Sequence, residues 1–173
     1  MRFVVTGELK SNHLLRAIVV AFVIYVLLLW LTNALLYFAK MSLTYTSVTE
    51  YYLGSERRFL PPRSYQGMLE IAHFHLFAMG ILLLTLTHLM LFVPIDTVPK
   101  AGLIVVSFFS AVADEGAGWL VRFVAPGFAY LKIAAFLLLE ASLLALAVLS
   151  LWAVFSGSQA AYQGPQNSNP KDC

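Results

Sequence analysis

Four histidines and a handful of acids are the residues in this chain best suited to chemistry, and they sit in otherwise apolar surroundings. His73 and His75 form His73-Phe74-His75, His88 follows Thr87 later in the same run, and His13 heads an earlier one. Imidazole is the usual nitrogen ligand for haem iron and for copper, zinc and iron ions. On a helix, His73 and His88 fall about 60° apart in heading and about 22 Å apart along the axis, so one face carries them at two depths. His75 is turned about 200° from His73, and the two cannot address the same side. Glu70-Ile71-Ala72-His73 is an E-x-x-H element, which puts a carboxylate and an imidazole on one helical face. Joined by Asp114 and Glu140 from facing helices, Glu70 and His73 make a candidate carboxylate–histidine site for a metal ion.

The acids also have a plainer reading. Asp114 and Glu115 stand beside Ala113 and Ala117, a small-xxx-small spacing that suits close helix–helix contact with ion pairing. Arg122 and Lys132 are near enough to helix ends to extend their charges to the membrane surface.

His73-Phe74-His75-Leu76 with Thr87-His88-Leu89 resembles the histidine-bearing helix of membrane cytochrome b subunits, which hold two haems between helices. The resemblance covers this one helix. It implies haem b as a cofactor, His13, His73, His75 and His88 as the residues that hold it, and a place in an electron-transfer or respiratory complex with haem or quinone contacts. The chain departs from that family in having no histidine after His88. A self-contained pair of bis-histidine haems is therefore not expected. His13 and His88 share a depth and would flank one haem, while the other histidines would need Met41, Met68, a symmetry mate or another subunit as second ligand.

The elements that must position these residues are membrane spans. Hydrophobic residues make up 60% of the 173 and charged residues 12%, with a mean hydropathy of +0.80. A soluble domain carries about 25% charged residues. A span needs about 20 mostly apolar residues, and four stretches qualify: 14–39, 66–93, 100–123 and 128–155. The first is longer than the apolar core of a signal peptide and no small-x-small site follows, so a retained helix is expected. Two short turns force antiparallel neighbours, which predicts an all-α, up-down four-helix membrane bundle over residues 1–155. The longer connection, 41–65, carries Arg57, Arg58, Arg63, Pro61-Pro62, Tyr45, Tyr51 and Tyr52, and is expected to lie over the bundle mouth. Residues 156–173 read as a flexible polar tail.

Helix rise places Glu70, His73, His75, Asp114, Glu115, Lys132 and Glu140 together in the half nearest that connection. Acids and imidazoles outnumber the cations Arg122 and Lys132 there, which predicts partner subunits in a hetero-oligomer within the bilayer. Lys10 ahead of the first span and Arg16 at its start favour cytoplasmic termini in a bacterial inner membrane. Several function classes are excluded. The lone cysteine, Cys173, leaves no intramolecular disulfide, CxxC zinc site or CxxCH haem attachment. A net charge of +2 without a basic run gives nucleic acid no footing, and no phosphate-binding or dinucleotide motif occurs. The chain is not expected to be an enzyme on its own.

Overall fold

The computed structural model describes residues 13–155, and each long apolar stretch in it is a helix. α1 covers His13–Lys40, α2 Tyr45–Leu53, α3 Tyr65–Met90, α4 Thr97–Phe123 and α5 Ala129–Phe155, with 3-10 turns at Glu56–Arg58 and Pro126–Phe128. Among the described residues, α1, α3, α4 and α5 with its preceding turn are long and apolar enough to cross a membrane. At 1.5 Å per residue each is about 40 Å long against a hydrocarbon core of about 30 Å, so their ends reach the headgroups. Aromatic residues mark those ends. Tyr65, Trp119 and Phe123 pack together at one, and at the other the Arg16 guanidinium lies 5.6 Å from the Phe155 ring centroid, as expected of interfacial belts. The protein is an all-α integral membrane protein. The expected polar tail, and Lys10 in the charge argument, lie outside the described residues.

Local chemistry sets the helix starts. Ser64 caps α3 by accepting from the Gly67 N–H at 3.1 Å, and Thr44 caps α2 by accepting from Ser47 at 3.3 Å. α4 begins at Thr97, ahead of the expected residue 100, because Pro99 fits within a first turn whose N–H groups have no helical partner. α3 stops at Met90 instead of 93. The N–H groups of Leu91, Phe92 and Val93 then close turns onto His88, Leu89 and Met90.

α5 is the hub, packing on α1, α3 and α4. Its contact with α4 is the most extensive because the α4 seam is small. Ser107, Ser110, Ala117 and Val121 are buried there at alternating three- and four-residue spacing, with Asp114 completing the series. Small residues let two backbones approach closely. Ser107 and Ser110 donate to carbonyls of their own helix, so the seam carries no unpaired hydroxyl there.

α1 departs from the expected order. It lies mainly against α5 and not against α3, the next span in the sequence. The turns 3–4 and 4–5 are tight, but residues 41–65 carry α2 across the bundle mouth onto α4 and α5, and α1 joins α3 only through the shared apolar core of Val19, Val23, Leu83 and Leu86. This connection is also more ordered than a plain loop. Ser55 and Leu60 exchange backbone hydrogen bonds of 3.0 Å, making a small strap. Gly54, at φ 87°, makes its entry, where a Cβ would sit 2.7 Å from the Leu60 carbonyl oxygen.

Candidate functional site

Asp114 sits on the α4 seam and Lys132 on the facing side of α5, so close helix packing brings the two together. The Lys132 Nζ donates to Asp114 Oδ1 at 2.8 Å and to the Asp114 main-chain oxygen at 3.0 Å. Lys132 was expected to extend to the membrane surface. It is instead buried, 7% exposed, because Asp114 draws it inward. One residue on, Glu115 points to α3 and meets His75, with Nδ1 to Oε2 at 3.3 Å. A third polar contact joins α1 to α5. The Asn33 side-chain amide donates to Glu140 Oε1 at 2.6 Å, and Trp30 Nε1 donates to the Glu140 main-chain oxygen at 3.0 Å.

These groups surround a cavity of about 490 Å³, within the roughly 300–1,000 Å³ range of small-molecule sites. Asn33, Tyr37, Tyr52, His75, Asp114, Glu115 and Lys132 line it together with Leu36, Met41, Met68, Ile71 and Phe136. A smaller pocket of about 100 Å³ shares Asn33, His75, Asp114 and Glu115 with it and continues toward Leu83 and Leu139. Asp114 lies about 14 Å below the end of α4 and Glu140 about 16 Å below the start of α5, so the cluster reaches close to the bilayer centre.

The connection expected to lie over the mouth does so and supplies the roof. Tyr52 on α2 is buried and abuts Gly118 so closely that a Cβ there would stand 2.7 Å from its hydroxyl. Burial, followed by the negative charges around it, pushes the Tyr52 phenol above its ordinary range, so it remains a neutral donor. Arg63 is fixed at the rim. Its guanidinium lies 4.1 Å from the Tyr51 ring centroid, its N–H donates to Tyr52 O, and its carbonyl accepts from Arg122 Nε at 2.9 Å.

The histidines are separated by this geometry. All four are exposed, but His75 lines the cavity with its side chain 53% exposed, whereas His13, His73 and His88 line neither pocket. His73 lies by Phe74 and His88 by Phe92. α1 packs mainly on α5, and His13 and His88, expected to flank one haem, both stand exposed. The carboxylate–histidine set is not brought together. Glu70 is exposed and accepts from Gln66 at 3.0 Å, His73 faces outward, and Asp114 and Glu140 face inward. Among the described residues no group of three or more histidines, cysteines or acids is placed to hold a metal ion.

Two cavity groups escaped the sequence reading. Asn33 is a lone amide in an apolar run, a signal as plain as that of the acids. Tyr37 carries no such signal, because a tyrosine near a span end reads as an interfacial residue.

A family model for the transmembrane helical domain Aq_1264_TM matches residues 42–161. The chain belongs to this family. The matched part comprises α2, the strap and α3–α5, which supply the roof and most of the walls of the cavity. α1 lies outside it and closes the remaining side of the Aq_1264_TM domain with Asn33 and Tyr37. Comparison with curated proteins and with solved structures returns no match.

Proposed function

We propose that this chain is an integral subunit of an electron-transfer or respiratory complex whose cavity receives the head group of a membrane quinone. A quinone is a flat apolar ring with two carbonyl acceptors, and its reduction consumes protons. The observation that carries the reading is a pair of donors with capacity to spare in an apolar-walled cavity within the bilayer. Tyr37 stacks on Phe136 at 3.7 Å, and its buried hydroxyl has no hydrogen-bond partner among the described residues. An ammonium has three donors, and Lys132 spends two on Asp114. His75 and Tyr52 add an imidazole and a neutral phenol to the lining. Partner subunits would supply the redox centre and cover the outward histidines His73 and His88. The termini are assigned to the cytoplasmic side of a bacterial inner membrane, following Arg16 in the first turn of the first span.

A second reading keeps haem b. The carboxylate of Glu115 against His75 Nδ1 is the kind of contact that orients a ligating imidazole. His75 would be the single ligand given by this chain, with the other coming from Met41, Met68 or a partner.

Protein purified in mild detergent, extracted with organic solvent and chromatographed for quinones, tests the first reading. A short-chain quinone titration followed by tryptophan fluorescence gives the affinity. Tyr37→Phe removes a hydroxyl without another protein partner, so the fold is retained. Affinity is expected to fall by about 2- to 10-fold for the loss of one neutral hydrogen bond. No extracted quinone and no saturable quenching would defeat the quinone reading. A reduced-minus-oxidised haem band that is lost in His75→Ala would select the second.

A further inference from the structure

Glu140 is the buried group that the quinone reading leaves unused. Its side chain is 8% exposed. Oε1 accepts the bond from Asn33, while Oε2 is buried with no hydrogen-bond partner among the described residues. If Glu140 served only to clasp α1, one acceptor would be enough and an amide would do as well. A carboxylate there would also lack a cation. Lys132 is committed to Asp114 and lies two helical turns away, about 12 Å along α5. An uncompensated charge at that depth is strongly disfavoured, so this carboxyl is built to hold something positive on Oε2.

The surroundings indicate what that is. Lys132, Phe136 and Glu140 follow one face of α5 at four-residue spacing, and Asn33 and Tyr37 do the same on α1. The two faces meet as a ladder, Tyr37 on Phe136 and Asn33 on Glu140. Asn33 also lines both pockets, so it stands between their polar interior and the carboxyl. The other ionisable groups lining the cavity are Asp114 and Glu115 on α4, Lys132 on α5, His75 on α3, Tyr51 and Tyr52 on α2, and, toward the mouth, Lys40 on α1 and Arg63 in the connection. Among the described residues Glu140 belongs to no group of three or more histidines, cysteines or acids placed to hold a metal ion. A proton needs one oxygen, which Oε2 offers, and a route, which Asn33 marks by touching both Glu140 and the cavity.

We propose that Glu140 is a proton-exchange site deep in the membrane, loaded and unloaded on Oε2 from the cavity by way of Asn33. One proton passes from cavity water to Oε2 and returns by the same path. The side of the bundle beyond Glu140 is closed by the apolar core of Val23, Val26, Leu143 and Leu146, which makes the site accessible from the mouth only. The inference uses the cavity but not its occupant.

Infrared difference spectra of quinone-free protein in lipid test it, so failure here is separate from failure of the quinone reading. A carboxylic C=O stretch is expected that disappears in Glu140→Gln, shifts in Glu140→Asp and moves on transfer to D2O. Asn33→Leu should slow that exchange at least tenfold, and the Asp variant guards against a Gln variant that fails to fold. Treatment with a lipid-soluble carbodiimide should modify Glu140 in the parent protein. The proposal is overturned if the Glu140-dependent signal is that of a carboxylate sensitive to sodium or potassium. It is equally overturned if the C=O band does not exchange in D2O, or exchanges at the same rate with Leu at position 33.

Discussion

Replacing Lys132 by Met asks how much of the bundle depends on one buried ion pair. The side chains of Lys132 and Asp114 are 9% and 18% exposed and meet at 2.8 Å, so water screens them weakly. Removing one partner of a buried pair strands the other charge, at about 3–5 kcal/mol in well-enclosed sites. Asp114 keeps some contact with the cavity, which favours the lower end, about 3 kcal/mol. That corresponds to a loss of a hundredfold or more in the folding equilibrium. The reciprocal change should be milder. In Asp114→Asn the freed lysine, one turn into α5, can extend toward the mouth and recover hydration. Asp114 lies about 14 Å below the end of α4 on a short side chain and has no such escape. Unfolding in mixed micelles of rising SDS fraction, followed by circular dichroism, should rank Lys132→Met as more destabilising than Asp114→Asn. The double variant should recover most of the loss. If Lys132→Met lies within about 0.5 kcal/mol of the parent, as for an exposed pair, the pair is not enclosed as described. If the double variant is no better than the single, stranded charge is not the cause.

Gly118→Ala should destabilise the protein by about 1–3 kcal/mol through overpacking, since its Cβ would meet the Tyr52 hydroxyl and ring within 2.9 Å. Adding Tyr52→Ala should return part of that loss in the same micelle assay. Trp30→Phe should loosen α1 from α5 by about 0.5–1.5 kcal/mol, the net value of a hydrogen bond, measured as faster proteolysis at the α1–α2 junction with α3–α5 intact. Tyr52 sets an alkaline limit. Its folded-state pKa is raised, so stability should be level below about pH 10, the unfolded value, and decline above it as the unfolded chain alone loses the proton. Tyr52→Phe should flatten that decline in thermal melts from pH 9 to 11.

The spans were legible because a bilayer imposes a rule that composition can meet or fail. Backbone polar groups must be satisfied within each segment, and long apolar runs satisfy that only as helices. Two tight turns likewise dictated which helices run antiparallel. The site was partly legible. Asp114, Glu115, Glu140 and His75 were singled out because ionisable groups at depth demand partners, and helix rise placed them in one half of the membrane. Periodicity also separated His73 from His75, and in the structure only the second lines the cavity and meets Glu115.

Heading within a helix did not decide which neighbour that heading meets. The place of α1 depends on a connection long enough to permit several answers, and packing against α5 selected one. That selection set α1 against α5 and gave Glu140 an amide partner in Asn33. Lys132 could have reached for the headgroups, and its sequence position allows either course. Only the small seam of Ser107, Ser110 and Ala117, by letting α4 and α5 close up, put Asp114 near enough to hold it inside. The sequence determined the elements, their direction and the depth of each charge, because these follow from one-dimensional spacing and the bilayer thickness. The tertiary structure alone decided the pairings and the cavity they enclose, because side-chain partners depend on which surfaces come within a few ångströms of one another.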